Sequence, residues 1–194
     1  MTIQTATLGY PRIGKNREVK TALEAFWSGK SDAESLLQKV REVEFANWKI
    51  QLEAGIDRIG IADTTLYDHV LNWSVRSHMC DSEFGDIIQH IERLDADVLS
   101  IENSRSNNRT LQEVTEAGYS HQIGNGVYDI HSPVVPTTEQ LVQQLEAGIK
   151  NLPVRQIWVN PDCGLKTRRW EEVIPALKNM VQATKAIREN ANAQ

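Results

Sequence analysis

Residues 156–181 read QIWVNPDCGLKTRRWEEVIPALKNMV. Gln156 to Asn160 form an apolar run of strand length, stopped by a polar stretch that carries Pro161, Cys163 and Gly164. Trp170, Val173, Ile174, Leu177 and Val181 then recur at the helical period, the clearest apolar stripe in the chain. A short strand followed by an amphipathic helix is the repeating unit of α/β proteins.

The same unit recurs upstream. Further β-like runs are Ala6 to Tyr10, Arg58 to Ala62, Val98 to Glu102 and Gly126 to Ile130. Their near-continuous apolarity predicts parallel strands buried on both faces. Ser31 with Glu34 three residues on predicts a capping-box start for a helix holding Leu36, Leu37, Val40 and Val43 and ending near Gly55. Phe84, Ile87, Ile88 and Ile91 follow helical spacing after Ser82, as do Leu141, Val142, Leu145 and Ile149. Asn103 to Thr110 and Ser132 to Thr138 read as loops, and Glu189 to Gln194 as a frayed end. The fold class is therefore α/β with parallel strands. Five strands are too few to close an eight-stranded (β/α) barrel, so the expectation is a partial or shortened TIM-type barrel.

The chain has 194 residues, 40% hydrophobic and 24% charged, which suits one globular unit with its own core. Lys plus Arg number 21 against 26 Asp plus Glu, a net charge of −5, and no basic block offers a grip on nucleic acid. No apolar stretch approaches the roughly 18 to 20 residues of a membrane span, and MTIQTATLGY has no secretory pattern. A cytoplasmic protein is expected. In that reducing setting Cys80 and Cys163 are read as thiols or metal ligands rather than a disulfide.

Groups that bind metal or move protons cluster just past the β-like runs. Glu102 closes VLSIE, His131 follows VYDI and Cys163 follows IWVNPD. In a parallel sheet these C-terminal strand ends open on one face, so distant residues converge there. His78 and Cys80, in SHMC, would complete a set of one His, two Cys and one Glu. Two thiolates and an imidazole favour zinc over Mg²⁺ or Ca²⁺, and a carboxylate ligand is one that a substrate could displace. Plainer readings stand beside this one. Cys163 could be a small buried hydrophobe, and Glu102 could pair with Arg105 or Arg109. His69, His90 and His121 are assigned no role; Trp48, Trp73, Trp158 and Trp170 are packing residues, and Arg17, Glu18 and Lys20 an ordinary solvated helical turn.

Two sets of longer motifs go further. The first is TLGYPRIGKNREVK (7–20), with AFWSG, EAGID and LYDHVL after it. The second comprises SHMCDSEFGDIIQHIERLDADVLSIENSRS (77–106), GNGVYDIHSPVVP (124–136) and WVNPDCGLKTRRW (158–170). Together they resemble cobalamin-independent methionine synthase, a zinc methyltransferase that passes a methyl group from 5-methyltetrahydropteroyl-triglutamate to homocysteine. The resemblance implies His78, Cys80, Glu102 and Cys163 as zinc ligands and His131 as proton donor. It also implies that Asn16, Arg17, Glu18, Val19 and Lys20 contact the folate polyglutamate tail.

Residues 1–76 resemble the start of the family's N-terminal barrel, and 77–194 the zinc-binding end of its C-terminal catalytic barrel; the intervening segments are absent between Arg76 and Ser77. Two closures follow. The N-terminal piece could take the place of the missing first strands, or two chains could complete one another as a homodimer. Three functions stay open: the family's methyl transfer to homocysteine, a zinc-binding fusion with weak or no turnover, and a small methyltransferase using a non-folate donor.

Overall fold

The structure, a computed structural model, describes residues 3–60, 88–93, 97–150 and 152–192. Along them run β1 (Gln4–Thr5), α1 (Glu18–Trp27), α2 (Ala33–Glu53), α3 (Ile88–Glu92), β2 (Val98–Ile101), α4 (Arg109–Glu116), β3 (Gln122–Gly126), α5 (Thr138–Ile149), β4 (Ile157–Asn160) and α6 (Trp170–Asn192). The four strands pair in parallel in the order β1–β4–β3–β2. A parallel bridge from Ala6 to Arg58 carries the ladder one step beyond β1. The α/β class and parallel sheet match the expectation, and the sheet is open among the described residues.

The order places the first strand beside the last. Gln4 and Thr5 lie opposite Trp158 and Val159, and the Ala6 N–H donates to the Val159 carbonyl at 2.7 Å. On the other side of β1, Arg58 N–H donates to the Thr5 carbonyl and Thr7 N–H to the Arg58 carbonyl. Asp57 fixes this corner: the Thr5 N–H and hydroxyl both donate to its Oδ2 at 2.8 Å. The N-terminal segment thus extends the sheet by one strand at the edge of β4.

Both faces of the sheet hold buried residues, as expected, but they differ in character. Odd-numbered Leu99, Ile101, Ile123, Ile157 and Val159 are buried in the main core with Leu141 and Leu145 of α5 and Val173, Leu177 and Met180 of α6. The other face carries Ser100, Gly124 and Asn160, with Asn160 Nδ2 donating to Ser100 Oγ at 3.3 Å. Short strands with one small, polar face read as irregular apolarity in a linear sequence.

Several boundaries shift. β1 is Gln4–Thr5 rather than Ala6 to Tyr10, of which Ala6 keeps a single bridge to Arg58. β3 is Gln122–Gly126 rather than Gly126 to Ile130. Val127, Tyr128 and Ile130 are buried as loop residues beneath the strand ends, so their apolarity reports burial and not pairing. α2 is capped by Asp32, whose side chain accepts from the Ser35 N–H at 2.8 Å, not by Ser31. α6 continues to Asn192 because Ile187 is buried and Arg188 is tied to the N-terminal segment. The run Phe84 to Ile87 lies outside the described residues; Ile88 and Ile91 are buried in α3. α5 begins with a full capping box, Thr137 with Gln140, that its sequence stripe did not announce. α1 and α2 pack as a hairpin over Val19, Leu36, Val40 and Val43.

Candidate functional site

The loops after all four strands meet at one end of the sheet. After β1, Thr7 to Pro11 is held by two buried amides of α2: the Thr7 hydroxyl donates to Gln51 Oε1 at 2.5 Å, and Asn47 Nδ2 donates to the Pro11 carbonyl at 3.1 Å. The Leu165 N–H donates to the Gly9 carbonyl at 3.0 Å, bringing this loop against the one after β4, next to Cys163. Tyr10 packs edge-on against Trp170, ring centroids 5.8 Å apart.

Asp162 is the centre of the arrangement. Its Oδ1 accepts from the Asn103 N–H at 3.1 Å and the Ser104 N–H at 3.2 Å, and its Oδ2 accepts from the Ser104 hydroxyl. Its own N–H donates to the Tyr128 carbonyl at 3.1 Å, so one residue joins the loops after β2, β3 and β4. Asp162 is 1% exposed. That burial, with the charge of Glu102 adding to it and the bonds from Ser104 and Asn103 opposing it, pushes its carboxyl up to about 6. Gly126 makes the close approach feasible: a Cβ there would lie 2.1 Å from Asp162 Oδ1 and 2.7 Å from the Ile101 carbonyl.

Behind Asp162 lies a second polar layer. Asn103, fully buried, donates through Nδ2 to Asn108 Oδ1 and Asn125 Oδ1 at 2.5 and 2.7 Å. Its Oδ1 accepts from the Leu111 N–H at 3.1 Å, capping α4, whose own N-cap residue Asn108 makes no such bond. Tyr128 is buried beside Asp162 and Tyr10, and burial drives its hydroxyl well above the ordinary phenol range. That hydroxyl has no hydrogen-bond partner among the described residues.

Of the expected metal ligands, Glu102 and Cys163 are described, both half-buried at strand ends. Glu102 precedes Asn103 and Cys163 follows Asp162, so the two residues lie on loops that the Asn103–Asp162 hydrogen bond joins; among the described residues no three His, Cys, Asp or Glu side chains form a metal-binding group. His78 and Cys80 lie outside the described residues, as do His69 and Trp73. His131 is exposed on the loop after β3; its N–H donates to Asp129 Oδ1 at 2.8 Å, and Asp129 lies 3.9 Å from Arg105 of the loop after β2. Arg109 turns to Glu113 at 3.4 Å. Of the segment from Asn16 to Lys20, Asn16 bonds to Glu18, Lys20 pairs with exposed Glu24 at 3.5 Å, Arg17 has left-handed backbone at φ 63°, and Val19 is buried in the α1–α2 hairpin. Trp158 donates to Gln122 and lies under the Arg58 guanidinium, while Trp48 stacks on Phe45, as packing residues do.

The family model for the cobalamin-independent synthase catalytic domain matches residues 34–186. The chain belongs to this family. A 5-methyltetrahydropteroyltriglutamate–homocysteine methyltransferase of Thermosynechococcus vestitus is 74% identical over 115 residues, 59% of this chain and 15% of that protein. The enzyme of the same name from Trichodesmium erythraeum is 53% identical over 153 residues, 79% of this chain and 19% of its own. This chain thus spans about a fifth or less of the relatives it matches. The structure of a B12-independent methionine synthase from Shewanella sp. W3-18-1, in complex with selenomethionine, superposes with a TM-score of 0.52 at 14% identity, covering all of this chain and 64% of that one. At that identity the likeness is one of fold. Asp162, Ser104, Asn103 and Tyr128 carry no role in the sequence reading. The only available signal for Asp162 was its place between Pro161 and Cys163; nothing local announced that its partners sit at 103 and 104.

Proposed function

We propose that this chain forms the zinc-binding end of a cytoplasmic methyl-transfer site that delivers the methyl group of 5-methyltetrahydropteroyl-triglutamate to homocysteine. The observation that supports the reading is the Asp162 junction, which joins the loop that follows Glu102 to the loop that carries Cys163. A carboxylate oxygen beside a thiolate suits a borderline-soft ion, and His78 and Cys80 would complete four ligands. When bound, zinc would lower the pKa of the homocysteine thiol so that thiolate predominates at neutral pH.

The chain's own residues have defined tasks in this scheme. The sulfur–carbon bond forms as the N5–carbon bond breaks, and His131 supplies the proton that the departing folate nitrogen takes up. Glu102 would be one of the residues that hold the zinc, and its carboxylate the weakest donor of the set. The segment from Asn16 to Lys20 would meet the polyglutamate tail, and the loop from Leu8 to Tyr10 is bonded to the chain two residues past Cys163 through Gly9 and Leu165. The placement of β1 against β4 favours closure within one chain over strand exchange between two.

The test is metal content. Purified protein should carry about one zinc, and Cys163→Ser should lose it through loss of a thiolate ligand. Full metal content in that variant would refute the ligand set. A catalytically weak zinc protein is the second reading, favoured by the substrate-holding segments that the resemblance finds absent between Arg76 and Ser77.

A further inference from the structure

We infer that Asp162 is a positioning residue for the metal ligands, its carboxylate locking the end of β2 to the end of β4 so that Glu102 and Cys163 are presented together. The inference rests on the zinc reading above. Both carboxylate oxygens are already engaged: Oδ1 takes two backbone N–H groups, of Asn103 and Ser104, and Oδ2 takes the Ser104 hydroxyl. A carboxylate used in this way is an anchor and not a ligand. Two of its three donors are backbone, so it fixes the course of the chain immediately after Glu102 rather than one rotamer. Its own N–H, donated to the Tyr128 carbonyl, adds the loop that leads to His131. Gly126 has no Cβ to stand between the strands and this carboxylate. Without the anchor, two loops from separate strands would each have to be ordered by the metal itself, and affinity would fall.

The experiment uses the full chain with Co²⁺ alone as the probe, because its visible bands report geometry and its near-ultraviolet band reports thiolate ligation. Asp162→Ala should bind Co²⁺ about 10- to 100-fold more weakly, the range typical of residues that orient ligands, with a diminished thiolate band. Asp162→Asn keeps the acceptor for both backbone N–H groups and should recover most of that loss. A role confined to stability predicts something else: a lower melting point of the metal-free protein with affinity and bands unchanged, and that outcome overturns the proposal. So does an Asn variant no better than Ala. If the Ala variant does not fold, Ser104→Ala carries the test, since it removes the donor to Oδ2 and should weaken Co²⁺ binding with little change in melting point; unchanged binding there is again contrary. Failure of the zinc reading itself looks different. It would show as wild-type protein taking up no Co²⁺, or as Cys163→Ser binding it unchanged, and either result removes the proposal along with it.

Discussion

Arg188 donates through Nη2 to Asp57 Oδ2 at 2.5 Å and through Nε to the Ile3 carbonyl at 2.6 Å. One guanidinium near the end of α6 therefore holds both parts of the N-terminal corner, the strand and the turn that leads to Arg58. Hydrogen bonds to a charged group of this kind contribute about 1.5 to 3 kcal/mol when sheltered and less at partly exposed positions. Arg188→Ala should accordingly destabilise the protein by about 1 to 2 kcal/mol in urea unfolding, with the metal-site residues untouched.

Acid should act through the same contact. Burial works against the charge on Asp57, but the Thr5 N–H, the Arg188 guanidinium and the Thr5 hydroxyl outweigh it and hold the carboxyl below its ordinary value of 3.8. The charged form is favoured by folding, so its contribution is complete above that value and disappears as pH falls through the lower folded-state value. Melting temperatures followed from neutral pH downward should drop more steeply in the wild type than in Asp57→Asn. Parallel curves would count against this role.

Gly126→Ala tests how tightly the strand ends are packed. The added methyl would meet Asp162 Oδ1 at 2.1 Å and two backbone atoms of Ile101 and Asp162 inside 3 Å, so the sheet itself must give. Overpacking of this order costs about 1 to 3 kcal/mol or more. Unfolding free energy is the measurement, and a loss well under 1 kcal/mol would contradict the close approach.

Asn103→Ala removes a buried amide with four partners: Asn108, Asn125, Ser106 and the Leu111 N–H. It strips the cap from α4 and leaves the Leu111 N–H and Asn125 Oδ1 without their bonds to it, while Asn108 Oδ1 keeps Gln144, for an expected cost of about 2 to 4 kcal/mol. Amide exchange in residues 109–111 should accelerate before the rest of the chain responds.

Turnover should be slow. Orientation of reactants accounts for about 7 to 11 kcal/mol of a barrier, and each 1.36 kcal/mol is about tenfold in rate. If the proposed methyl transfer holds, the segments that the resemblance finds absent between Arg76 and Ser77 should leave it hundreds of times slower than in working enzymes, measured as methionine formed from homocysteine and the triglutamyl folate. Sustained turnover near one per second would contradict that.

What the sequence disclosed follows from range. The stripe from Trp170 to Val181 and the runs at Val98 and Gln156 depend on near neighbours, and the structure keeps them as α6, β2 and β4. Glu102 and Cys163 were legible as chemistry-bearing residues at strand ends. β3 was misplaced by four residues because Gly124 and Gly126 have no strand propensity and are tolerated for the space they leave Asn160 and Asp162. Asp162 is silent in the sequence for the matching reason. Its meaning lies in partners 58 and 59 residues away, a relation no local pattern encodes.

The pairing of Gln4 and Thr5 with Trp158 and Val159 has a kinetic side. These are contacts between opposite ends of the chain, and the entropy of closing so long a loop is spent before the contact returns anything. During synthesis the first strand leaves the ribosome with its edge partner not yet made. Its alignment must wait until β4 has emerged. Helices α1 and α2, with their local hairpin over Val19 and Val40, can form in the meantime and keep the segment compact. Docking of β1 onto β4 is then the late step that seals the fold, and truncation before residue 157 would leave an unpaired strand edge open to other chains.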